Sequence, residues 1–282
     1  MQTDFLQYIY QAINTMLTQN LAFFDAMGQN LFRMFATILV VWYGVKMALA
    51  AASGHHLLHF EKLASLILTI SFGFGMINYY NRPIPGMGSS FHNLITNEAQ
   101  FLSNKIDQNQ LQLVIDGVSN FETRLDSPTF GDLLGAAIYV LIILLLAAAQ
   151  AVTIVVVAFG FIATAVCVLV GPIFIPFFIV PEMEWLFWGW FKAFLQYAFY
   201  QVIAAAVVFI IANLLVGTLR LPPAGTLSTV QLMAWFPVLL ITFLAAIYAL
   251  LKVPVLTNHI FSGASGGSSG AILGFLAGRF GS

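Results

Sequence analysis

Residues 133–180 read LLGAAIYVLIILLLAAAQAVTIVVVAFGFIATAVCVLVGPIFIPFFIV, an apolar run of roughly twice the length that one membrane-spanning helix needs. No charged residue interrupts the run. Gly160, Gly171, Pro172 and Pro176 lie in its second half and Pro181 follows directly, a pattern that predicts a kinked or ended helix there. The run indicates an all-α integral membrane protein and leaves open how often this segment crosses the membrane.

The composition of the whole chain supports a lipid environment. Hydrophobic residues make up 60% of the 282 residues, and charged residues make up 7%. A soluble domain carries about 25% charged residues, so this chain could not cover its surface in water. The net charge of −1 gives no sign of a nucleic-acid groove. Cys167 is the single cysteine, so a disulfide within the chain is excluded.

Four further segments have the length and composition of transmembrane helices: 32–53, 60–80, 192–217 and 231–253. If residues 133–180 cross once, the chain has about five spans, and the basic residues gather on one side. The residues on that side are Lys46, Lys62, Lys192, Lys252 and Arg279. This bias predicts a periplasmic N-terminus and a cytoplasmic C-terminus in a bacterial inner membrane. A helical hairpin within 133–180, giving about six spans, is the alternative.

The chain divides into five regions on this interpretation. Residues 1–31 have apolar side chains at helical spacing and predict an amphipathic helix in the membrane interface, or else a helix packed on its neighbours. A helical external loop is predicted for 81–131, opening with prolines and glycines at 82–88 and broken near Asp107–Asn109. The remaining regions are the first two spans (32–80), a transmembrane core (132–255) and a Gly/Ser-rich cytoplasmic tail (256–282).

The polar residues in the central parts of the spans are uncharged. An ion-coupled transporter usually places ionisable residues in mid-membrane, and the central parts of these spans have none. Amide and hydroxyl side chains commonly join helices to one another, which is the interpretation that we prefer here. The alternative is a water-filled passage lined by some of these side chains. The residues concerned are Gln150, Thr153, Thr164, Gln196, Gln201 and Asn213.

No catalytic or metal site can be assembled from the sequence. His55, His56 and His59 could share a helix face, but no cysteine or second histidine cluster completes a ligand set. Gly263-Ala264-Ser265-Gly266 matches an element of rhomboid-type intramembrane serine proteases, yet no histidine follows to act as a base. We therefore predict a protein that is not an enzyme and that carries no cofactor and no metal.

Two local patterns remain. Trp185, Trp188 and Trp190, together with Glu182 and Glu184, predict a short stretch lying flat at the lipid headgroups. In the tail, glycine recurs every four residues, which on a helix forms a smooth stripe for close approach of another helix. The stripe consists of Gly270, Gly274 and Gly278, and we interpret it as an assembly contact, with a disordered linker as the alternative.

The region from residue 171 to residue 197 resembles the TrbL/VirB family of conjugal transfer proteins. The resemblance rests on a Gly-Pro-led apolar run, a second proline, a short turn, and a Gly-Trp pair that leads into a span. The residues that carry it are Gly171, Pro172, Pro181, Trp185, Gly189, Trp190 and Gln196. Family members often have basic residues in the turn, where this chain has Glu182 and Glu184.

The resemblance implies the polytopic inner-membrane subunit of a type IV secretion system. Such a subunit is expected to be a scaffold or channel component that passes DNA or protein substrate, or pilus subunits, across the membrane. It is expected to form a homo-oligomeric ring, to contact minor pilin and core-complex subunits, and to depend on separate cytoplasmic ATPases. The competing hypothesis is a stand-alone small-molecule channel or transporter, which mid-membrane charges or inverted repeats would favour.

Overall fold

The computed structural model describes residues 2–52, 60–107, 120–121, 123, 133–220 and 229–262. Within these ranges the chain is helical, without β-strands, which confirms the predicted all-α class. The helices with defined bounds are α1 (Gln2–Ala52), α2 (Phe60–Asn78), α3 (Phe91–Asp107), α4 (Leu133–Phe174), a 3-10 helix (Ile175–Ile179), α5 (Glu184–Leu219), α6 (Thr229–Leu251) and α7 (Val253–Ser262).

Helix α4 shows how the long apolar run folds. It is one helix of 42 residues, about 63 Å long at about 1.5 Å per residue, so the helical hairpin considered as an alternative is wrong. Gly160 does not interrupt the helix. Its missing side chain leaves room for a tyrosine ring of α5, since a Cβ there would lie 2.6 Å from Cδ1 of Tyr200. Pro172 and Pro176 lie where α4 ends, as predicted. There the α-helix changes into the 3-10 helix, and the chain then reverses direction.

By length and composition, four helical segments of the described chain could cross a membrane: Tyr8–Ala52, Ala136–Ile179, Glu184–Leu219 and Met233–Leu251. The membrane class of the fold is thereby confirmed. α2, the second of the predicted spans, is also a helix, but it is not among the four. Glu61 and Lys62 occupy its first turn and shorten its apolar part, so a fifth span at α2 stays a prediction.

Three predicted boundaries differ from the structure. α1 is one continuous helix from Gln2 to Ala52, so no helix end separates the predicted N-terminal region from the first span. α5 begins at Glu184, so the tryptophan stretch forms the first turns of this helix and is not a separate interfacial segment. α7 extends helical structure into the predicted tail. The assembly glycines Gly270, Gly274 and Gly278 lie outside the described residues, as do His55, His56 and His59.

α5 is the central helix of the fold, since it packs against α3, α4, α6, α7 and the 3-10 helix. One apolar cluster joins the first part of α4, the second part of α5 and α6, with Leu146, Val208 and Phe243 at its centre. A second cluster joins α1, α2, the end of α4, the 3-10 helix and the start of α5, around Ile175 and Phe194. α4 and α5 therefore run through both clusters and connect them.

The connection between α2 and α3 is a tight loop, as the prolines and glycines at 82–88 predicted. Gly86 and Gly88 have φ values of 84° and 69°, a conformation that other residues rarely adopt. The N–H of Phe91 donates to the carbonyl of Tyr79 at 2.9 Å, and this bond ties the start of α3 to the end of α2. The described part of α3 extends to Asp107, and the break predicted near Asp107–Asn109 stays a prediction. A second helix in this loop was predicted beyond Asn109, largely outside the described residues.

Candidate functional site: a buried proline junction

The site begins with a hydrogen bond that Pro172 removes from α4. Proline has no N–H, so the carbonyl of Val168, four residues earlier, loses its usual helical donor. In this structure the hydroxyl of Tyr80 donates to that oxygen at 2.7 Å. Tyr80 lies just beyond the end of α2 and is fully buried. The bond therefore fixes the end of α2 to the point where α4 is weakened.

The carbonyl of the preceding residue, Cys167, also accepts a hydrogen bond from a side chain. Nε1 of Trp190 in α5 donates to the carbonyl of Cys167 at 2.9 Å, and the indole is almost completely buried. Gly171 makes room for both rings, since a Cβ at this position would lie 2.6 Å from Cζ of Tyr80 and 2.7 Å from Cζ2 of Trp190. A larger residue at 171 would force the two donors away from their carbonyls.

Helix α1 meets the same point through a glycine. A Cβ at Gly28 would lie 2.6 Å from the carbonyl carbon of Pro172 and would overlap its oxygen. That oxygen also lacks its usual helical donor, because residue 176 is a second proline. The backbone of α1 can therefore approach α4 only because residue 28 has no side chain. We call the set of Gly28, Tyr80, Gly171, Pro172 and Trp190 the proline junction.

Aromatic rings surround the junction on the α5 side. The indole of Trp190 stacks on Phe194 with ring centroids 5.6 Å apart, and on Phe174 at 6.5 Å. Phe187 and Phe178 continue this contact to the 3-10 helix, with centroids 5.0 Å apart. Such pairs add to the hydrophobic stabilisation that ring burial already gives. The junction is thus a packed connection between four helices and the 3-10 helix.

The structure places the residues of the family resemblance in two groups. Gly171, Pro172 and Trp190 meet in the junction. Pro181, Trp185 and Gly189 are exposed, and Gln196 is half-buried on α5. Trp185 and Trp188 are exposed, and their position at the lipid headgroups stays a prediction; Nε1 of Trp188 donates to Oε1 of Glu184 at 2.5 Å. The same prediction was wrong for Trp190, because that indole faces the protein interior.

The uncharged polar residues of the spans also have separate positions. The hydroxyl of Thr164 lies 2.8 Å from the carbonyl of Gly160 and 2.9 Å from that of Tyr197, so it joins α4 to α5. Nδ2 of Asn213 donates to the carbonyl of Phe209 within its own helix, on an exposed face. Thr153 similarly donates to Ala149 in α4. Gln150 is half-buried on α4, and Gln201 is buried on α5.

Sequence reasoning did not find Gly28 or Tyr80. Tyr80 was only the last residue of the predicted span 60–80, and Gly28 lay unremarked in the apolar helical pattern of residues 1–31. A glycine within a helix is destabilising by roughly 0.5–1 kcal/mol relative to alanine, and this was the one available signal. In the part of the chain that the structure describes, no cluster of three His, Cys, Asp or Glu side chains could hold a metal ion.

We expect Tyr80→Phe to destabilise the folded protein by about 1–3 kcal/mol, because the buried Val168 carbonyl would lose its donor. Tyr248→Phe is the matched control, since Tyr248 is 64% exposed. Thermal unfolding of the purified protein in one detergent measures both variants. Equal stability of the two variants would show that the Tyr80 hydroxyl does not stabilise the junction.

The fold and this junction define a polytopic all-α membrane protein whose helices pack together around the proline-containing end of α4. Residues 36–253 match the model of the TrbL/VirB6 plasmid conjugal transfer protein family. Because this match covers more than half of the chain, the protein belongs to the TrbL/VirB6 family. It is therefore a component of a conjugal transfer machine of the type IV secretion class, working with other subunits. The comparison with curated proteins gave no match.

Proposed function

We propose that the protein is a non-enzymatic channel or scaffold subunit of the transfer machine, placed in the bacterial inner membrane. In this role it assists translocation of a DNA or protein substrate and assembly of the pilus. Family membership supports a place in the machine. The proline junction supports the kind of role, because it joins α1, α2, α4 and α5 at one buried point.

The main support for this proposal is that two backbone carbonyls near Pro172 already accept hydrogen bonds from side chains. In transporters with broken helices, freed backbone carbonyls coordinate the transported ion. Here the carbonyls of Val168 and Cys167 accept bonds from Tyr80 and Trp190. Both oxygens therefore hold helices together. The segments Ala136–Ile179 and Met233–Leu251 also contain no Asp, Glu, Lys or Arg, so a coupling-ion site of the usual kind has no ligands there.

The proposed orientation places α3 in the periplasm and the start of α2 in the cytoplasm, as Lys46 and Lys62 predict. The predicted cytoplasmic position of Lys192 conflicts with this orientation, because the proline junction holds Trp190 beside Tyr80, at the end of α2 where α3 begins. Glu98 on α3 and Glu61 on α2 are both exposed, so each accepts a cysteine without disturbing the core. We expect Glu98→Cys to react with an impermeant maleimide in spheroplasts, and Glu61→Cys to react only after permeabilisation. Labelling of both variants from the same side would contradict this topology.

The proposed partners follow from the family and from this orientation. The protein is expected to form a homo-oligomeric ring and to contact minor pilin and core-complex subunits through its periplasmic part. Separate cytoplasmic ATPases would supply the energy. Large apolar side chains exposed on α1 and α4 support contact with lipid or with other copies, among them Ile38, Trp42, Val140 and Leu144.

Copurification tests the proposed partners. We would tag the protein, solubilise donor membranes in a mild detergent, and identify the copurified proteins by mass spectrometry. The expected result is recovery of core-complex and pilin subunits, in a complex containing several copies of the protein. Recovery of the protein alone as a monomer, with each of those subunits present in the same membranes, would contradict the proposal and favour a stand-alone channel.

A further inference from the structure

A polar cleft opens beside the proline junction, between α1 and α3. α1 packs on α4 and α3 packs on α5, so these two helices form the walls of the cleft, with α4 and α5 at its floor. Its volume is about 410 Å³, within the range of ligand-binding pockets. The α1 wall runs from Tyr10 to Leu21, which is about 17 Å at about 1.5 Å per residue.

Amides and hydroxyls line much of the cleft, and its floor is partly apolar. Side-chain amides come from both walls and from the floor: Asn14, Asn81, Asn93, Asn97, Gln100 and Gln201. Thr18, Thr96 and Thr164 add hydroxyls. Leu17, Leu21, Ala165 and Val168 provide the apolar surface. An amide side chain offers both donors and an acceptor, as a peptide group does.

Charge is absent from the cleft lining. None of the lining residues is Asp, Glu, Lys or Arg. His92 is the one lining residue that titrates near neutral pH, and burial lowers its pKa against the smaller opposing effect of its bond to the Tyr80 carbonyl. Its Nδ1 lies 2.6 Å from that carbonyl oxygen, so Nδ1 carries the proton. Nucleic-acid binding draws much of its free energy from Lys and Arg at the phosphates, and this lining offers neither.

We propose that this cleft binds a short, uncharged segment of polypeptide in an extended conformation. The amides of the two walls bond the N–H and C=O groups of the segment, and the apolar floor takes its small side chains. An extended chain advances about 3.3 Å per residue, so the α1 wall accommodates about five residues. The argument rests on the cleft alone and does not depend on the proposed role in translocation.

A neutral glycan is the main competing ligand, because hydroxyls also bond well to amides. Sugar-binding clefts usually stack a pyranose ring on an open aromatic face. Here the rings of Tyr10 and Phe161 meet edge to face, with centroids 5.7 Å apart, so the edge of one ring covers a face of the other. This contact reduces the aromatic surface open to a sugar, and together with the many amides it favours polypeptide over glycan.

The test uses the full-length protein in lipid nanodiscs and three probes. The first is a pentapeptide with blocked ends composed of Asn, Thr, Gly and Ala; the second has a central Lys or Glu; the third is chitotriose. Binding is measured by saturation-transfer NMR and by titration calorimetry. We expect the neutral peptide to bind, its charged versions to bind about tenfold or more weakly, and chitotriose not to bind.

Matched substitutions on α1 locate the binding. Thr18 lines the cleft and Thr15 does not, although both are exposed and both bond the backbone of their own helix. Thr18→Trp fills the space between the walls and is expected to abolish binding, whereas Thr15→Trp is expected to leave it unchanged. The proposal is overturned if the neutral peptide fails to bind, if Thr18→Trp binds it normally, or if chitotriose binds in its place.

Discussion

Trp190→Ala is expected to destabilise the folded protein by about 3–5 kcal/mol, the range found when a buried tryptophan or phenylalanine is truncated. The indole is 6% exposed and stacks on Phe174 and Phe194, so its removal leaves a cavity between α4 and α5. It also removes the donor to the Cys167 carbonyl. Both losses act at the junction, where four helices meet.

Trp185→Ala is the matched control for this prediction. Trp185 lies on the same helix and is 69% exposed, so its truncation removes little protein–protein contact. We expect a clear fall in the unfolding temperature for Trp190→Ala and a small change for Trp185→Ala, measured by scanning fluorimetry in one detergent. Similar shifts for the two variants would indicate that Trp190 belongs to the lipid belt with Trp185.

Gly28→Ala is expected to show the second large effect. The added methyl group would overlap the carbonyl of Pro172, and the obstacle is backbone that cannot rotate away. Overpacking of this kind typically costs about 1–3 kcal/mol, and occasionally more where the backbone must shift. α1 would have to move away from α4, which would loosen the junction at its first contact.

Gly44 offers a control on the same helix. A Cβ at Gly44 would meet no atom within 4 Å, so Gly44→Ala changes helix propensity alone. Alanine is favoured over glycine in a helix by roughly 0.8–1 kcal/mol, so this variant should be as stable as the wild type or slightly more stable. A Gly28→Ala protein as stable as Gly44→Ala would contradict the close approach of α1 to Pro172.

The fold class could be predicted because hydropathy is a local property. The continuous run in 133–180 and the glycines of the 82–88 loop are each visible within a short window of sequence. The single crossing of α4 was preferred from the distribution of Lys and Arg, and the uninterrupted helix rules out the alternative hairpin. The continuous α1 was missed, because a change from amphipathic to fully apolar pattern does not require a helix end.

The proline junction could be predicted only in part. The resemblance to the family marked Gly171, Pro172 and Trp190, but nothing in their pattern indicated their partners. The bond from Tyr80 to Val168 joins residues 88 apart in the chain, and the bond from Trp190 to Cys167 joins residues 23 apart. Such contacts depend on which helix faces align, and periodicity alone does not specify this. Tryptophan is also common both in buried cores and at lipid interfaces, so exposure separates Trp190 from Trp185 only in the folded protein.

Plasmid transfer by donor cells tests the central claim most directly. We would delete the coding sequence from the conjugative element, restore it with wild type, Trp190→Ala or Trp185→Ala, and count transconjugants beside the level of each protein in the membrane. The account predicts that transfer falls to background in the deletion strain and with Trp190→Ala, and that wild type and Trp185→Ala restore it. Undiminished transfer by the deletion strain would contradict the assignment of this protein to the transfer machine.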